Sequence, residues 1–548
     1  MLHRWSLHST SCPAHKAKIL LTLIQYLGDE YAFTTGEPVS QAEPTPGPQV
    51  PANFKYDIAS GTKRLVVVVF GSDPGPALCK VMMSAVAMGY PMPVVVNWGQ
   101  HLEDYFPEYV RESHWRHVGP HLMKIVGGLQ YLDEVSHMTA HRDDKLEEDD
   151  LVLMVDAYDI WFQTPPEVLI RRCHEQNREA RERFIKEWPG EPEEMPMHQS
   201  IIISSQKKCY PASDDSYDVK CGEVPDSPLR PDLYGSVTDS SPRLFDTGAA
   251  RHHNVRPKYI NSGAILGNVG ALRKFLRRSK DRMDEKVLND ERRFKSDQGM
   301  MGEVWGEQEV YRKWLRKNAK KSHGKATSFE MDDRDFEYGV GLDYKQDICI
   351  PTVFEEQDGD IVELGNKTYI DSRSRKLGIK PTRLRGVPKD LAKSPNPLSI
   401  LPDLKKVPGW KHMAMYADFF TASVPAMVHH NAHEGGLKNR NQLWWDRMWY
   451  FPYLRDLVTA RLESTKLEPL GQVTARDGKQ AVYYPVRGDK WKRLPRVFRA
   501  GGGMKGLDMG EWDDLCFNSY NPDEHWSVEV MRDGKGPLRT KGSGNDEA

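Results

Sequence analysis

The chain has 548 residues, 39% of them hydrophobic, enough to bury a large core as one big α/β domain with extensions or as two to three smaller domains. A formal net charge of -2 argues against a strongly basic nucleic-acid binder, and the run Arg292-Arg293-Phe294-Lys295 reads as a solvated helix face. Seven cysteines are too few for a disulfide scaffold and show no CxxC zinc spacing.

In chain order, an apolar run at residues 19–27 follows Arg4, His15, Lys16 and Lys18. It is shorter than the roughly 18 to 20 apolar residues of a membrane span. A poor signal, a truncated anchor and a buried amphipathic helix all fit it, so weak membrane association through the N-terminus stays open. Residues 37–52 are rich in proline and small polar residues and read as a linker, which closes an N-terminal segment over residues 1–60.

The ordered fold is expected to begin with a buried strand at 64–70, a Gly71 to Gly75 turn, a helix over 77–88 and a strand at 93–97. Strand, turn, helix, strand is the start of a parallel sheet with right-handed crossovers. The most informative stretch follows. Residues 151–155, LVLMV, read as a central strand buried on both faces, and this strand runs straight into Asp156 and Asp159. Two carboxylates at that spacing, delivered to the carboxyl edge of a sheet, suit one hard divalent cation, Mn²⁺ or Mg²⁺. Thr164, Pro165 and Glu167 then have the spacing of a capping box opening a helix.

Further strands are expected at 200–204, 259–267 and 426–429, with helices at 270–278 and 297–306. The strand at 259–267 carries Asn261-Ser262-Gly263 in its middle, an odd place for glycine unless a group such as a sugar ring approaches the backbone. Asp297 suits either a helix N-terminus or a sugar hydroxyl. The strand at 426–429 ends in His429, placed to supply an imidazole as third metal ligand, while Asn431, Gly435 and Gly436 suit a loop close to a phosphate. Residues 317–337 and 366–406 read as polar loops or insertions. Cys209 and Cys221 are the only close cysteine pair, readable as a loop bridge in an oxidising compartment or as two free thiols. The last ~90 residues lose the strand and helix alternation and end in a tail expected to be disordered.

In their order, these blocks resemble the glycosyltransferase domain of the collagen lysyl hydroxylase/glycosyltransferase family over much of residues 64–440. Asp156 and Asp159 match its paired aspartates, Asn261-Ser262-Gly263 its Asn-Ser-Gly strand, and Asp297-Gln298 the end of its acidic run. Leu342-Asp343-Tyr344-Lys345 and Val428-His429-His430-Asn431 are similar to two later motifs.

The resemblance implies a GT-A fold over 61–460, a Rossmann-like mixed sheet flanked by helices with loop insertions, and a poorly structured C-terminal extension over 461–548. It also implies Mn²⁺ (or Mg²⁺) held by Asp156, Asp159 and His429, and a UDP-sugar as donor. Lys124 would lie near the nucleotide diphosphate, Trp98 would stack on uracil, and Asn431 would lie by the phosphates. Asp297, Asn261 and Asp343 would contact the sugar or act as base. The implied activity is transfer of a hexose to a hydroxyl of a protein or glycan acceptor, with no nucleic-acid partner, in the Golgi or endoplasmic reticulum lumen. Asn366-Lys367-Thr368 would be a glycosylation acceptor there.

Departures from the family pattern are Gln206 in place of a carboxylate, the single Asp297 in place of an aspartate run, and His430 in place of a glycine. Glutamine is no general base, so a catalytically inactive GT-A-like sugar-nucleotide or glycan-binding protein is the alternative. The dioxygenase part of the lysyl hydroxylases has no visible counterpart. A metal-dependent phosphohydrolase would need a second acid cluster, and the sequence displays none placed for it.

Overall fold

The computed structural model describes residues 56–100, 119–211, 217–240, 251–288, 296–319, 335–432, 439–486, 494–499 and 507–538. The chain divides into Met1–Ala52 and Asn53–Ala548; the first unit, with its apolar run and linker, lies outside the described residues, as does the basic run at 292–295. No helix among the described residues is long and apolar enough to cross a membrane.

In chain order the main elements are β1 (Gly61–Phe70), α1 (Pro76–Met88), β2 (Val94–Val96), α2 (Gly119–Ser136), β3 (Leu151–Asp156), β4 (Ile160–Phe162) and α3 (Pro166–Glu187). There follow β5 (Ile201–Gln206), β6 (Tyr259–Asn268), α4 (Val269–Leu288), α5 (Asp297–Asn318), β7 (Val340–Asp343), β8 (Cys349–Pro351), β9 (Gly359–Glu363) and α6 (Lys367–Lys376). The chain continues with β10 (Ala414–Asp418), β11 (Met427–His429), α7 (Leu454–Glu463), β12 (Gly471–Thr474), β13 (Gln480–Pro485), β14 (Arg496–Phe498) and β15 (Leu507–Met509).

Ten strands form one mixed sheet with the order β15-β14-β2-β1-β3-β6-β5-β7, to which β13 adds beside β1 and β12 beside β13. β1 runs parallel to β2, β3 and β13, whereas β6 is antiparallel to both of its neighbours. The apolar runs behave as strands buried on both faces. Leu65, Val67 and Val69 of β1 enter one core layer with α1, α3 and α7, and Val66 and Val68 enter the other with α2, α4 and α5. Helices therefore flank the sheet on both sides. The register Val96↔Phe70↔Asp156 brings the carboxyl ends of β2, β1 and β3 to one edge.

Several expectations need correction. α3 begins at Pro166 with Pro165 as its cap residue and no side-chain cap, and Glu167 instead accepts from Arg171 Nη2 at 2.5 Å, one turn on. The polar stretches expected to be loops contain α6, and β7 to β10 lie between or beside them. The C-terminal region is no separate poorly structured extension over its described part. β13 pairs with residues 61–65 of β1, and β14 pairs with β2. Cys516, in the short helix Trp512–Cys516, forms a disulfide with Cys79 of α1 across 437 positions, a pairing that close spacing does not reveal. Cys209 and Cys221 are also bridged, while Cys173 and Cys349 are free and buried. The last residues, 539–548, lie outside the described part.

One buried contact between α3 and β13 sets a pH limit. His174 Nε2 lies 2.8 Å from the Tyr483 hydroxyl, and burial pushes the imidazole down to about 4. The unfolded chain then takes up a proton before the native chain does, so stability rises with pH between about 4 and the unfolded histidine's value of about 6.5. Unfolding by urea is expected to need roughly 3 kcal/mol less at pH 4 than at pH 6.5 on account of this one group. The difference between wild type and His174→Phe, followed across that range, isolates it; a flat difference rejects the assignment.

Candidate metal centre

β3 ends in Asp156, and the two residues after it cross to Asp159, which leads into β4. Gly71, at the end of β1, packs against this crossing so closely that a Cβ there would come within 3.2 Å of the Ala157 Cβ. Tyr158 fixes the other side: its hydroxyl accepts from Asp73 N and donates to Asp73 O, both at 3.1 Å. The third ligand arrives from far along the chain because β11 pairs antiparallel with β4, setting His429 opposite Ile160. The ladder continues past it, with His430 N donating to Asp159 O at 2.7 Å.

The result is a convergence of three donor groups. His429 Nε2 lies 3.2 Å from Asp159 Oδ1 and 3.5 Å from Asp156 Oδ2, and one ligand atom from each residue falls within 4.8 Å of the other two. The histidine is buried, while the Asp156 side chain is 31% exposed, which leaves the group open on one side. Burial disfavours the imidazolium, but Asp159 and Asp156 outweigh it and hold His429 above its ordinary value. Burial also raises Asp156, against the pull of Lys124 and His429. A shared proton thus serves the balance of charge that a divalent ion would serve.

The surroundings fix which imidazole nitrogen is available. His429 Nδ1 faces Asn261 Oδ1 at 3.3 Å. That oxygen also accepts from Gly263 N at 3.1 Å, while Asn261 Nδ2 donates to Gln206 Oε1 at 2.9 Å and Gln206 Nε2 donates to Lys208 O at 2.7 Å. Each amide orients the next, so Nδ1 carries a hydrogen towards Asn261 and Nε2 faces the acids, where loss of the shared proton would free its lone pair for an ion, the arrangement metal-binding histidines use. Two carboxylates and a neutral imidazole are a donor set that Mn²⁺ or Mg²⁺ accepts.

Asn261 is therefore a positioning residue for His429, where a sugar contact was expected. Gln206, which sequence reasoning treated only as a lost carboxylate, belongs to the same relay. Gly263 also has a different reason from the expected sugar ring. The β5–β6 register jumps from Ile203↔Ile265 to Ser204↔Asn261, so residues 262–264 bulge out of that pairing, and a Cβ on Gly263 would fall 2.2 Å from His429 Cε1. Gly263→Ala is expected to weaken Mn²⁺ binding about 10- to 100-fold by displacing the imidazole, on the scale of losing a ligand-orienting contact. A Mn²⁺ titration followed by electron paramagnetic resonance measures it, and unchanged affinity in the folded variant contradicts this geometry.

Lys124 lies within α2 and is buried. Its Nζ donates to Ser262 O at 3.0 Å and forms ion pairs with Asp156 Oδ1 at 2.5 Å and Asp297 Oδ2 at 2.9 Å, so protein groups engage the ammonium where a diphosphate was expected. Asp297 opens α5 behind Ser296, whose side chain accepts from Gly299 N, and Lys124 holds the Asp297 carboxyl below its ordinary value against the effect of burial. Asp343 stands apart from this group in role. Fully buried, it accepts from Gln176 Nε2 and from the backbone N–H groups of Asp347, Ile348 and Cys349, at 2.7 to 3.0 Å, and so closes the β7–β8 turn. A carboxylate so enclosed is not open to a substrate. Trp98, half-buried, follows β2 at the same sheet edge as Asp156, and its backbone N–H reaches Phe498 O at 3.4 Å. Asn431 Oδ1 accepts from Val353 N at 3.1 Å, tying the chain after β11 to the loop after β8; Gly435 and Gly436 lie outside the described residues. The His430 ring is buried 4.1 Å from Trp161, and burial lowers its basicity to about 3.

Comparison of the chain with protein-family models found no match, and comparison with curated proteins found none.

Proposed function

We propose that this protein is a metal-dependent glycosyltransferase of GT-A architecture that moves a hexose from a UDP-sugar to a hydroxyl of a protein or glycan. One observation carries the reading: Asp156 and Asp159, at the end of a central parallel strand, meet His429, from a strand far along the chain, at the sheet edge where ligands of open α/β folds bind. Mn²⁺ or Mg²⁺ in that position supplies positive charge to a departing diphosphate. The protein's own groups keep the ligands in place. Asn261 and Gln206 hold the imidazole tautomer, the Tyr158–Asp73 contact fixes the loop, and Lys124 balances the charge of Asp156 and Asp297. The open side of Asp156 leaves an approach for the donor, and Trp98 at the same edge is our candidate for stacking on the base.

A second reading, a GT-A-like binding protein without turnover, draws on Gln206 and on Asp297, which is fastened by Lys124 and so has lost the freedom of a base. Incubation of the full chain with Mn²⁺ and a panel of UDP-hexoses separates the two. Release of UDP that chelation stops is the outcome of the transferase; binding of donor without release identifies the second reading. The two disulfides support a lumenal compartment for either, since such bonds persist where the surroundings are oxidising.

A further inference from the structure

A second group of oxygen ligands, invisible as a cluster in the sequence, lies at the end of the β9–β10 ladder. Glu355, Asp358 and Asp418 are 1%, 4% and 1% exposed, and a carboxylate oxygen of each lies within 4.8 Å of the other two. Asp418 stands opposite Gly359, the residue after Asp358, and Asp358 N donates to Glu355 O at 3.0 Å. Among the described residues the ammonium in contact with the cluster is that of Lys207, fully buried, whose Nζ donates to Asp358 Oδ2 and, at 2.9 Å, to His253 O. Were all three carboxylates ionised, the one ammonium would leave two negative charges to be balanced in the interior.

We propose that Glu355, Asp358 and Asp418 form a structural site for one hard divalent cation, separate from the Asp156–Asp159–His429 centre. Beyond the acids themselves, two buried neutral oxygens point to an ion. Gln346 is fully buried; its Nε2 donates to Ser205 O at 3.1 Å and to Glu355 Oε1 at 2.7 Å, while its Oε1 has no hydrogen-bond partner. Tyr416 is fully buried too, and its hydroxyl is equally unpartnered. That hydroxyl lies over Gly359, where an added Cβ would come within 2.4 Å of it, which sets it at the Asp358–Asp418 end of the ladder. Orphaned oxygens beside surplus carboxylates are the ligands a hard cation takes. The charges then close, with a dication and Lys207 facing three carboxylates. The donor set holds neither imidazole nor thiolate, which suits Ca²⁺ or Mg²⁺ over zinc. Such an ion would join the β9–β10 ladder to the loop of Gln346 and, through Lys207, to the end of β5.

The test uses the full chain carrying Asp156→Ala and Asp159→Ala, so that the first centre is disabled, purified from Ca²⁺-supplemented culture and probed with Ca²⁺ alone. Elemental analysis is expected to find one equivalent of divalent metal per chain, and added Ca²⁺ is expected to raise the thermal midpoint of the chelated protein. Adding Asp418→Asn is expected to remove both. Should that variant not fold, Gln346→Leu in the same background is expected to weaken Ca²⁺ binding about tenfold or more. No retained metal together with an unmoved midpoint overturns the proposal and leaves protons as the balancing charge; so does full retention of metal in a folded Asp418→Asn chain.

Discussion

Asp159→Ala is expected to reduce Mn²⁺-dependent UDP release on the order of 10²- to 10³-fold, the scale of losing one preorganised contact to developing charge. Its carboxylate faces His429 Nε2 at 3.2 Å, and its backbone carbonyl accepts from His430 N at 2.7 Å in the β4–β11 ladder. Alanine keeps that bond. The variant should therefore unfold close to the wild-type midpoint while losing affinity for Mn²⁺, and the two measurements together separate a ligand from a packing residue. Asp156→Ala is expected to differ, because Asp156 also pairs with Lys124 and its loss leaves a buried ammonium one acceptor short. Mn²⁺ affinity unaffected by Asp159→Ala would remove the basis for a metal-dependent transferase.

How far the sequence foretells this site depends on how local each cause is. The LVVVVF part of β1 and the LVLMV of β3 are continuous apolar runs, so strands buried on both faces are legible from composition alone, and a carboxylate pair after one of them is thereby placed at a sheet edge. β7 and β8 have four and three residues, too short for any period to register, and they form only because partners elsewhere complete the ladder. β13, QAVYYP, is a short run whose own residues do not name a partner, and its pairing with β1 joins segments from opposite ends of the chain. The same limit applies within the site. Gly263 signals a close approach to the backbone, yet nothing in its neighbourhood says that the approaching group is an imidazole from β11. Gln206 looks like a missing acid until Asn261 is seen to lean on it. The acids of the second cluster are likewise ordinary residues of two separate turns until the β9–β10 pairing joins them.

Lys124→Met is expected to be the most destabilising substitution near the centre, by about 3 kcal/mol, the lower end of what removing one partner of a buried ion pair costs. The lower end applies because Asp156, one of the two acids, retains 31% side-chain exposure and can recruit water, whereas Asp297 retains 7% and cannot. Methionine fills the space of the lysine stem, so packing contributes little to the loss. Asp297→Asn added to Lys124→Met should restore part of the stability by removing the stranded charge, with a coupling of roughly 1 to 3 kcal/mol in the double-mutant cycle. The sign with pH follows from the direction of each shift. Asp297 is held below its ordinary value and Lys124 above its own, so their contribution is present between the unfolded values of about 4 and about 10 and is lost as pH falls below that window or rises above it. The deficit of Lys124→Met relative to wild type should therefore be widest near neutrality and shrink towards pH 3. Since the ammonium also competes for Asp156 Oδ1, the folded fraction of the variant should bind Mn²⁺ at least as tightly as wild type. A variant that loses Mn²⁺ binding while keeping its stability would reverse these roles and make Lys124 a part of the metal centre itself.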